Sequence, residues 1–381
     1  MTRLKMLQID MNFLIVTHVL HAQKASEYFA YAPYVKEMNL WLKYVDNVTI
    51  VAPLQRNKEI RPIDIAYKHD AIDFRPIPAF NVLNIKSTLQ TLLVLPIIFF
   101  KIIGAMRKAD HIHLRCPGNI GLIGCVAQIF FPSKIKTAKY AGNWDPNSKQ
   151  PLSYRLQKRI LSNTFFTKNM SVLVYGDWKN QTKNIKSFFT ATYRDHDKEE
   201  VKKRTFEETI RFSFVGSLAP GKRPLLTIQI VEALKKHNYN VQLDIFGDGV
   251  KRKELEAYIS ENQLETFVTL HGNVTSEVIK EVHKSAHFMI LPSKSEGWPK
   301  VVAEAMFWGS LPIVTKISCV PYMLAEGNRG ILIEPNVNDA VTEIEQVLQS
   351  PKTYQAKVEK AVEWSRIYTL DTFETELKSL L

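Results

Sequence analysis

Cysteine is scarce in this chain of 381 residues: three, at positions 116, 125 and 319. Their odd number and irregular spacing, with no CxxC and no Cys/His cluster, exclude a disulfide framework and a zinc site. They fit reduced thiols in a core. Long apolar runs are scarce as well. Residues 1–10 hold neither an apolar stretch nor a small-residue cleavage site, so no signal peptide is expected. The most apolar segment, residues 92–104 (LLVLPIIFFKIIG), is interrupted by Pro96 and Lys101. It falls short of the roughly 20 residues that span a bilayer, and a buried or half-buried helix is expected there. Zinc-finger, helix-turn-helix and RNP patterns are all missing, so nucleic acid is not an expected partner.

What is present begins with charge. Residues 1–200 carry 28 Lys and Arg against 15 Asp and Glu, whereas residues 201–381 carry 22 against 23. The net charge of +12 therefore lies in the first half. A basic half implies an acidic partner, and an anionic membrane surface or an anionic lipid-linked molecule fits better than nucleic acid.

Apolar runs of strand length alternate with helical stretches. The expected strands are 12–16, 48–52, 112–114, 136–140 and 171–174 in one series. A second series comprises 211–215, 241–246, 268–271, 287–291 and 311–314. Helices are expected between them, among others at 32–42, 89–106, 225–236 and 251–261. Such alternation reads as parallel sheets with crossover helices, and two series read as two domains. The charged stretch 193–208 (YRDHDKEEVKKRTFEE) reads as an exposed linker between them. In two doubly wound domains, ligands are expected at the carboxyl ends of the strands.

The most informative segment is 291–309, LPSKSEGWPKVVAEAMFWG. A polar loop follows an apolar strand. Pro299 suits the first helical position, Val302, Ala305 and Met306 fall on one helical face, and Gly309 suits the stop. A helix start offers unpaired N–H groups and partial positive charge, which suits a pyrophosphate. Glu296 precedes the helix. Glu304 lies within it, with a side chain tilted back toward the N-terminus, so both carboxylates are expected to reach one pocket.

Glu296 and Glu304, seven residues apart, together with the run through Gly309, Pro312 and Val314, resemble the E-x7-E region of family 4 retaining glycosyltransferases. The resemblance implies an α/β chain of the GT-B fold, with two Rossmann-like doubly wound domains facing across a cleft. By that resemblance Glu296 contacts hydroxyls of a donor sugar. Gly297, Trp298, Pro299, Lys300 and Val301 hold sugar and phosphate, and Glu304 contacts the ribose. Residues 213–226 (SFVGSLAPGKRPLL) resemble the family's diphosphate-gripping segment, with Gly216 at the turn and Lys222 and Arg223 on the loop. Ser217 stands where the family has Arg. Gly247 in FGDG resembles the next glycine turn, Asn273 and Val274 the base-reading junction, and 328–335 (NRGILIEP) the closing motif.

The first half is less close. Residues 109–118 (ADHIHLRCPG) resemble a family strand and loop, but residues 17–24 lack the usual Gly-Gly turn. No His follows the strand at 137–140, where Gly142, Asn143, Trp144 and Asp145 stand. Near the expected cleft, His113, His18 and His21 read as structural. Arg115, Asn143, Trp144 and Asp145 are the acceptor candidates.

The resemblance implies residues 1–204 as an acceptor domain completed by a C-terminal helix at about 365–381, and 205–364 as a donor domain. It implies sugar transfer from a nucleotide-diphosphate sugar, UDP- or GDP-linked, to a glycan or lipid-linked acceptor in cell-envelope polysaccharide synthesis. Glu296 and Lys222 are the catalytic candidates. No other cofactor and no metal is expected, since Asp195 and Asp197 sit in the charged stretch rather than at a strand end. A cytoplasmic protein in peripheral contact with the inner face of an anionic membrane is expected. The rival readings are a nucleotide-sugar epimerase and a non-catalytic partner-binding scaffold.

Overall fold

The computed structural model describes residues 10–55, 59–61, 63–78 and 85–381, with side chains in the helix beginning at residue 85 described from residue 94. The chain divides into two compact units. The first comprises residues up to Val174 together with Trp178–Phe188 and Glu374–Leu381. The second comprises Tyr175–Asp177 and Phe189–Phe373.

The first unit runs β1 (Asn12–Val16), β2 (Ala22–Lys24), β3 (Glu27–Tyr31), α1 (Ala32–Leu42), β4 (Asn47–Pro53), β5 (Asp64–Ala66) and β6 (Ile72–Ile77). It continues α2 (Ile85–Lys108), β7 (His111–Cys116), α3 (Asn119–Ala127), β8 (Ile135–Tyr140), α4 (Leu152–Leu161), β9 (Met170–Tyr175) and β10 (Ile185–Phe188). Seven strands form one sheet in the order β10-β9-β8-β7-β1-β4-β6, with parallel pairing from β9 through β6. Phe13, Leu14, Ile15 and Val16 are all fully buried, as a strand covered on both faces requires. Ile98, Ile102 and Met106 of α2 and Ile120 and Ile123 of α3 close one side of that core. The small antiparallel sheet β2-β3-β5 was not expected from the sequence; its strands are too short to carry a period-two signal.

The second unit runs β11 (Ile210–Val215), α5 (Pro224–Lys236), β12 (Val241–Phe246), α6 (Arg252–Glu261), β13 (Val268–Gly272), α7 (Ser276–Ser285), β14 (Phe288–Leu291) and α8 (Lys300–Phe307). Then follow β15 (Leu311–Thr315), α9 (Val320–Met323), β16 (Ile331–Ile333), α10 (Val337–Leu348), α11 (Pro351–Ser365) and the start of α12 (Leu370–Leu380). Its six strands pair in parallel in the order β13-β12-β11-β14-β15-β16. Phe212, Phe288 and Tyr354 pack as an aromatic column through this core. The far end of α12 belongs to the first unit, where Glu374 pairs with Lys43 and accepts a hydrogen bond from the Tyr44 hydroxyl.

One expectation is corrected by packing. The stretch 193–208 is charged, yet it does not hang free as a linker. Tyr193 lies against Phe307 and Trp308, Glu199 pairs with Lys280 and Lys284, and Arg194 pairs with Asp371. The Arg204 guanidinium donates to the carbonyls of His283, Lys284, Trp308 and Gly309. Its charges bind the second unit, so the change of unit falls at residues 188–189, before the stretch begins. All three cysteines are buried and unpaired as disulfides, with Cys116 and Cys125 Sγ atoms 3.7 Å apart.

Candidate functional site

In the second unit the strand order reverses between β11 and β14: the chain leaves β11 toward β12 and β13, then returns to β14 on the other side. Loops leaving such a pair at their carboxyl ends diverge and leave a crevice, the usual ligand position in an open parallel sheet. The loop after β11 carries Gly216 to Arg223, and the loop after β14 carries Pro292 to Pro299.

Backbone bonds hold these loops together. The Lys294 N–H donates to the Gly221 carbonyl at 2.8 Å. Arg223, in a left-handed conformation just before α5, sends its guanidinium to the carbonyls of Pro292 and Ser293. Lys222 then reaches the Glu296 carboxylate, with Nζ 2.5 Å from Oε1. Two residues 74 apart in sequence thus meet at the mouth of α8.

Three side chains brace the loop from the next connection. The Thr315 hydroxyl donates to the Ser293 carbonyl at 2.6 Å, the Ser318 hydroxyl to the Glu296 carbonyl, and the Cys319 thiol to the Gly297 carbonyl. Burial pushes the Cys319 thiol up to about 12, so it remains a neutral donor. Trp298 is buried against Tyr175, Trp364 and Tyr368, and its indole N–H has no hydrogen-bond partner; the buried Ser293 hydroxyl has none either. Trp298 acts as an anchor of the loop, which sequence spacing alone did not reveal. The roles of Ser293, Thr315, Ser318 and Cys319 were not assigned from the sequence, because they depend on neighbouring strands rather than on local pattern.

α8 begins one residue later than expected. Pro299 is extended (ψ 92°) and caps the helix, its carbonyl accepting from Val302 N–H. The first-turn N–H groups, from Lys300 and Val301, have no intrahelical partner. Val302, Ala305 and Met306 are buried on one face, and Gly309 ends the helix at φ +79°.

Glu304 stands apart from Glu296. It lines a cavity with Thr192, Tyr193, Lys300 and Tyr368, and it accepts a hydrogen bond from the Thr192 hydroxyl at 2.6 Å. Burial raises its pKa, while the Thr192 bond and the nearby Lys300 charge act in the opposite direction. The two carboxylates of the motif therefore each have their own partner, and Glu296 is not among the walls of the Glu304 cavity.

The glycine turn after β12 sits beside the crevice. The Gly247 N–H donates to the Gly272 carbonyl, and a Cβ on Gly247, at φ +127°, would come within 1.9 Å of the Gly216 carbonyl oxygen. Gly216 itself donates to Phe246. Ser217 is exposed beyond it, and Asn273 and Val274 are exposed just past β13. All these candidates follow the carboxyl ends of β11, β12 or β13.

In the first unit the acceptor candidates have other engagements. Arg115 is buried, paired with Glu37 and stacked over Tyr34. Trp144 is buried edge-on to Tyr140, its indole N–H on Gln181. Asn143 and Asp145 accept bonds from backbone N–H groups within their own turn. His113 is fully buried and shares the Thr137 hydroxyl with His111, and His21 is held by the Val19 carbonyl and the Tyr67 hydroxyl. Neither imidazole is placed for proton transfer to a ligand.

Comparison with known proteins adds family evidence. The profile of glycosyl transferases group 1 matches residues 195–364. An uncharacterized glycosyltransferase of Methanocaldococcus jannaschii is 26% identical over 157 residues, covering 41% of this chain and 43% of that protein. The chain spans about two fifths of the length of the curated relatives it matches. Among solved structures, a lipopolysaccharide outer core galactosyltransferase, WaaB, aligns with a TM-score of 0.66 at 14% identity, covering 98% of this chain and 99% of that one. HepE of Anabaena in complex with UDP aligns with a TM-score of 0.65 at 12% identity, covering 97% and 99%. At such identities the structural likeness carries the architecture, two Rossmann-like α/β units of the GT-B kind.

Proposed function

We propose that this chain, whose residues 195–364 match the group 1 glycosyl transferases, moves a sugar from a nucleotide-diphosphate sugar to an acceptor hydroxyl with retention of configuration. The observation that carries the reading is the Lys222–Glu296 pair at the switch point of the second sheet, beside the N-terminus of α8. The pair joins a phosphate-binding cation to a hydroxyl-binding carboxylate. A donor would divide it, with diphosphate oxygens taking the Lys222 ammonium and the first-turn N–H groups of α8, and sugar hydroxyls taking Glu296.

Gly216, Ser217, Gly247 and the segment Gly297 to Val301 border the diphosphate and sugar in this reading, and Arg223 shapes the loop through the carbonyls it holds. Asn273 and Val274 lie toward the base, and Glu304 toward the ribose. The nucleotide is UDP or GDP, in keeping with the UDP bound by HepE.

Positive charge preorganised at the leaving group is the main catalytic contribution these residues can make. The bond from C1 to the diphosphate oxygen breaks as the bond from C1 to the acceptor oxygen forms on the same face. The acceptor proton passes to the departing phosphate oxygen, so no side-chain base is required. Lys222 and the helix terminus neutralise the diphosphate without a metal, and transfer is expected to survive a chelator. A glycan or lipid-linked acceptor, cell-envelope polysaccharide synthesis, a cytoplasmic location and contact with an anionic membrane complete the reading. The basic first half supports the contact with an anionic surface.

Thermal melting with UDP, GDP and ADP and their sugars tests the donor site. A nucleotide at about a hundred times its Kd adds about 2.7 kcal/mol of stability, a shift of several degrees. If no nucleotide moves the melting temperature, the donor reading fails.

A further inference from the structure

The first unit carries a surface that the donor site does not explain. Among the described residues, Phe100, Phe130 and Phe165 are the most exposed aromatic side chains, at 69%, 66% and 72%, and Phe166 is exposed beside them. Burial of such rings is strongly favourable, so exposing four of them on one unit calls for an occupant. They lie on one helical layer: α2 packs on α3 and α3 on α4. Phe100 and Phe130 both make edge contacts with Phe99. The Gln128 amide, two residues before Phe130, donates to the Phe166 carbonyl. The four rings therefore form one patch across the end of α3, the middle of α2 and the turn after α4.

The charge around the patch has one sign. Residues 94–169 hold twelve Lys or Arg and two acids, Asp110 and Asp145. Asp110 is occupied by the Asn12 backbone and amide. Three of the cations, Arg115, Lys136 and Lys139, are buried, and the other nine are exposed or half-exposed. Lys168 lies over the Phe165 ring at 5.3 Å, an aromatic and a cation presented together.

We infer that this face docks on an anionic lipid surface, the Phe rings entering the acyl boundary and the Lys and Arg side chains remaining among the headgroups. A second copy meeting the same face about a two-fold axis would set like charges against one another, which disfavours self-association. The surface gives a location to the membrane contact in the proposed function and rests on that part of it alone. Lipid binding is read without donor or acceptor, so its failure and that of the donor site are separate results.

The test is co-sedimentation of the full chain with phosphatidylcholine vesicles, with and without about 30% phosphatidylglycerol. Binding is expected to the anionic vesicles and to weaken severalfold at about 0.5 M salt. A triple variant, Phe100→Ser, Phe130→Ser and Phe165→Ser, is expected to bind at least about tenfold less, since each ring loses its apolar transfer. Its melting temperature and nucleotide-induced shift should stay unchanged, and Val278→Ser in the second unit should bind as the parent does. Should the triple variant not fold, Lys134→Glu with Lys168→Glu is expected to abolish the preference for anionic vesicles. The inference is overturned by triple-variant binding equal to the parent, by equal binding to neutral vesicles, by a charge variant that keeps its preference, or by Phe-dependent self-association without lipid.

Discussion

At the scale of single residues, the Lys222 ammonium and the Thr192 hydroxyl make the sharpest claims. Lys222 is half-buried, held 2.5 Å from Glu296, and is the side chain aimed at the diphosphate in the proposed reaction. Lys222→Ala should lower kcat by about a hundred- to a thousandfold, the usual loss when one preorganised charge at the reacting group is removed. Its melting temperature should change little. Steady-state kinetics with the cognate donor measures this, and an unchanged kcat would take Lys222 out of the chemistry. The Thr192 hydroxyl opposes the burial that raises the Glu304 pKa, because a donated hydrogen bond favours the carboxylate. Thr192→Val removes that bond, so the Glu304 pKa should rise further. Nucleotide affinity should then begin to fall at a higher pH than in the parent as the solution is acidified. Calorimetric titrations at successively lower pH would show the limb move, and coincident limbs would remove Glu304 from nucleotide binding. The sequence pointed to Glu304 through its spacing from Glu296. It could not point to Thr192, which lies 112 residues earlier and meets Glu304 only in the folded unit.

At the scale of elements, strands were the most legible feature. β1, β12 and α1 lie where the apolar pattern put them, because buried parallel strands and an amphipathic helix write their periods directly into sequence. The segment around α8 was legible for a different reason: cap, apolar face and terminal glycine each obey a local rule. The charged stretch was misread because composition cannot tell a solvated cation from one that finishes the carbonyl end of neighbouring elements. Arg204 is of the second kind. It faces the last turn of α7 and the end of α8, where carbonyls have no intrahelical donor. Arg204→Ala should destabilise the second unit by about 2–4 kcal/mol, since charged hydrogen bonds are lost together and leave their acceptors unpaired. Urea unfolding monitored by tryptophan fluorescence reads this as a lower midpoint. A midpoint equal to the parent's would return the stretch to the role of a passive connection. Acceptor recognition was the least legible. Arg115 and Trp144 stand at or just after the ends of strands, where a ligand contact is expected, yet both are engaged inside their own unit.

At the scale of the whole molecule, acid is the expected weakness. Burial lowers the pKa of His111 to about 4 in the first unit, and burial together with the Arg204 charge lowers that of His283 to about 3 in the second. The unfolded chain protonates these imidazoles near pH 6.5, before the folded one does. Stability is therefore fully present above about pH 6.5 and falls as the pH drops toward the folded values, by on the order of 3 kcal/mol for His111 alone. Calorimetry between pH 4 and 8 (roughly that titration window) should show the loss, and His283→Leu should flatten it in the second unit; an equally steep profile would assign the acid sensitivity elsewhere. The buried state of all three thiols has a practical consequence. A cysteine introduced on the surface would be the accessible nucleophile of the folded chain, so site-selective labelling needs no prior removal of native cysteines. An environment-sensitive fluorophore attached through Phe165→Cys would blue-shift if that turn entered lipid, and the same dye attached through Val278→Cys would report water in either case.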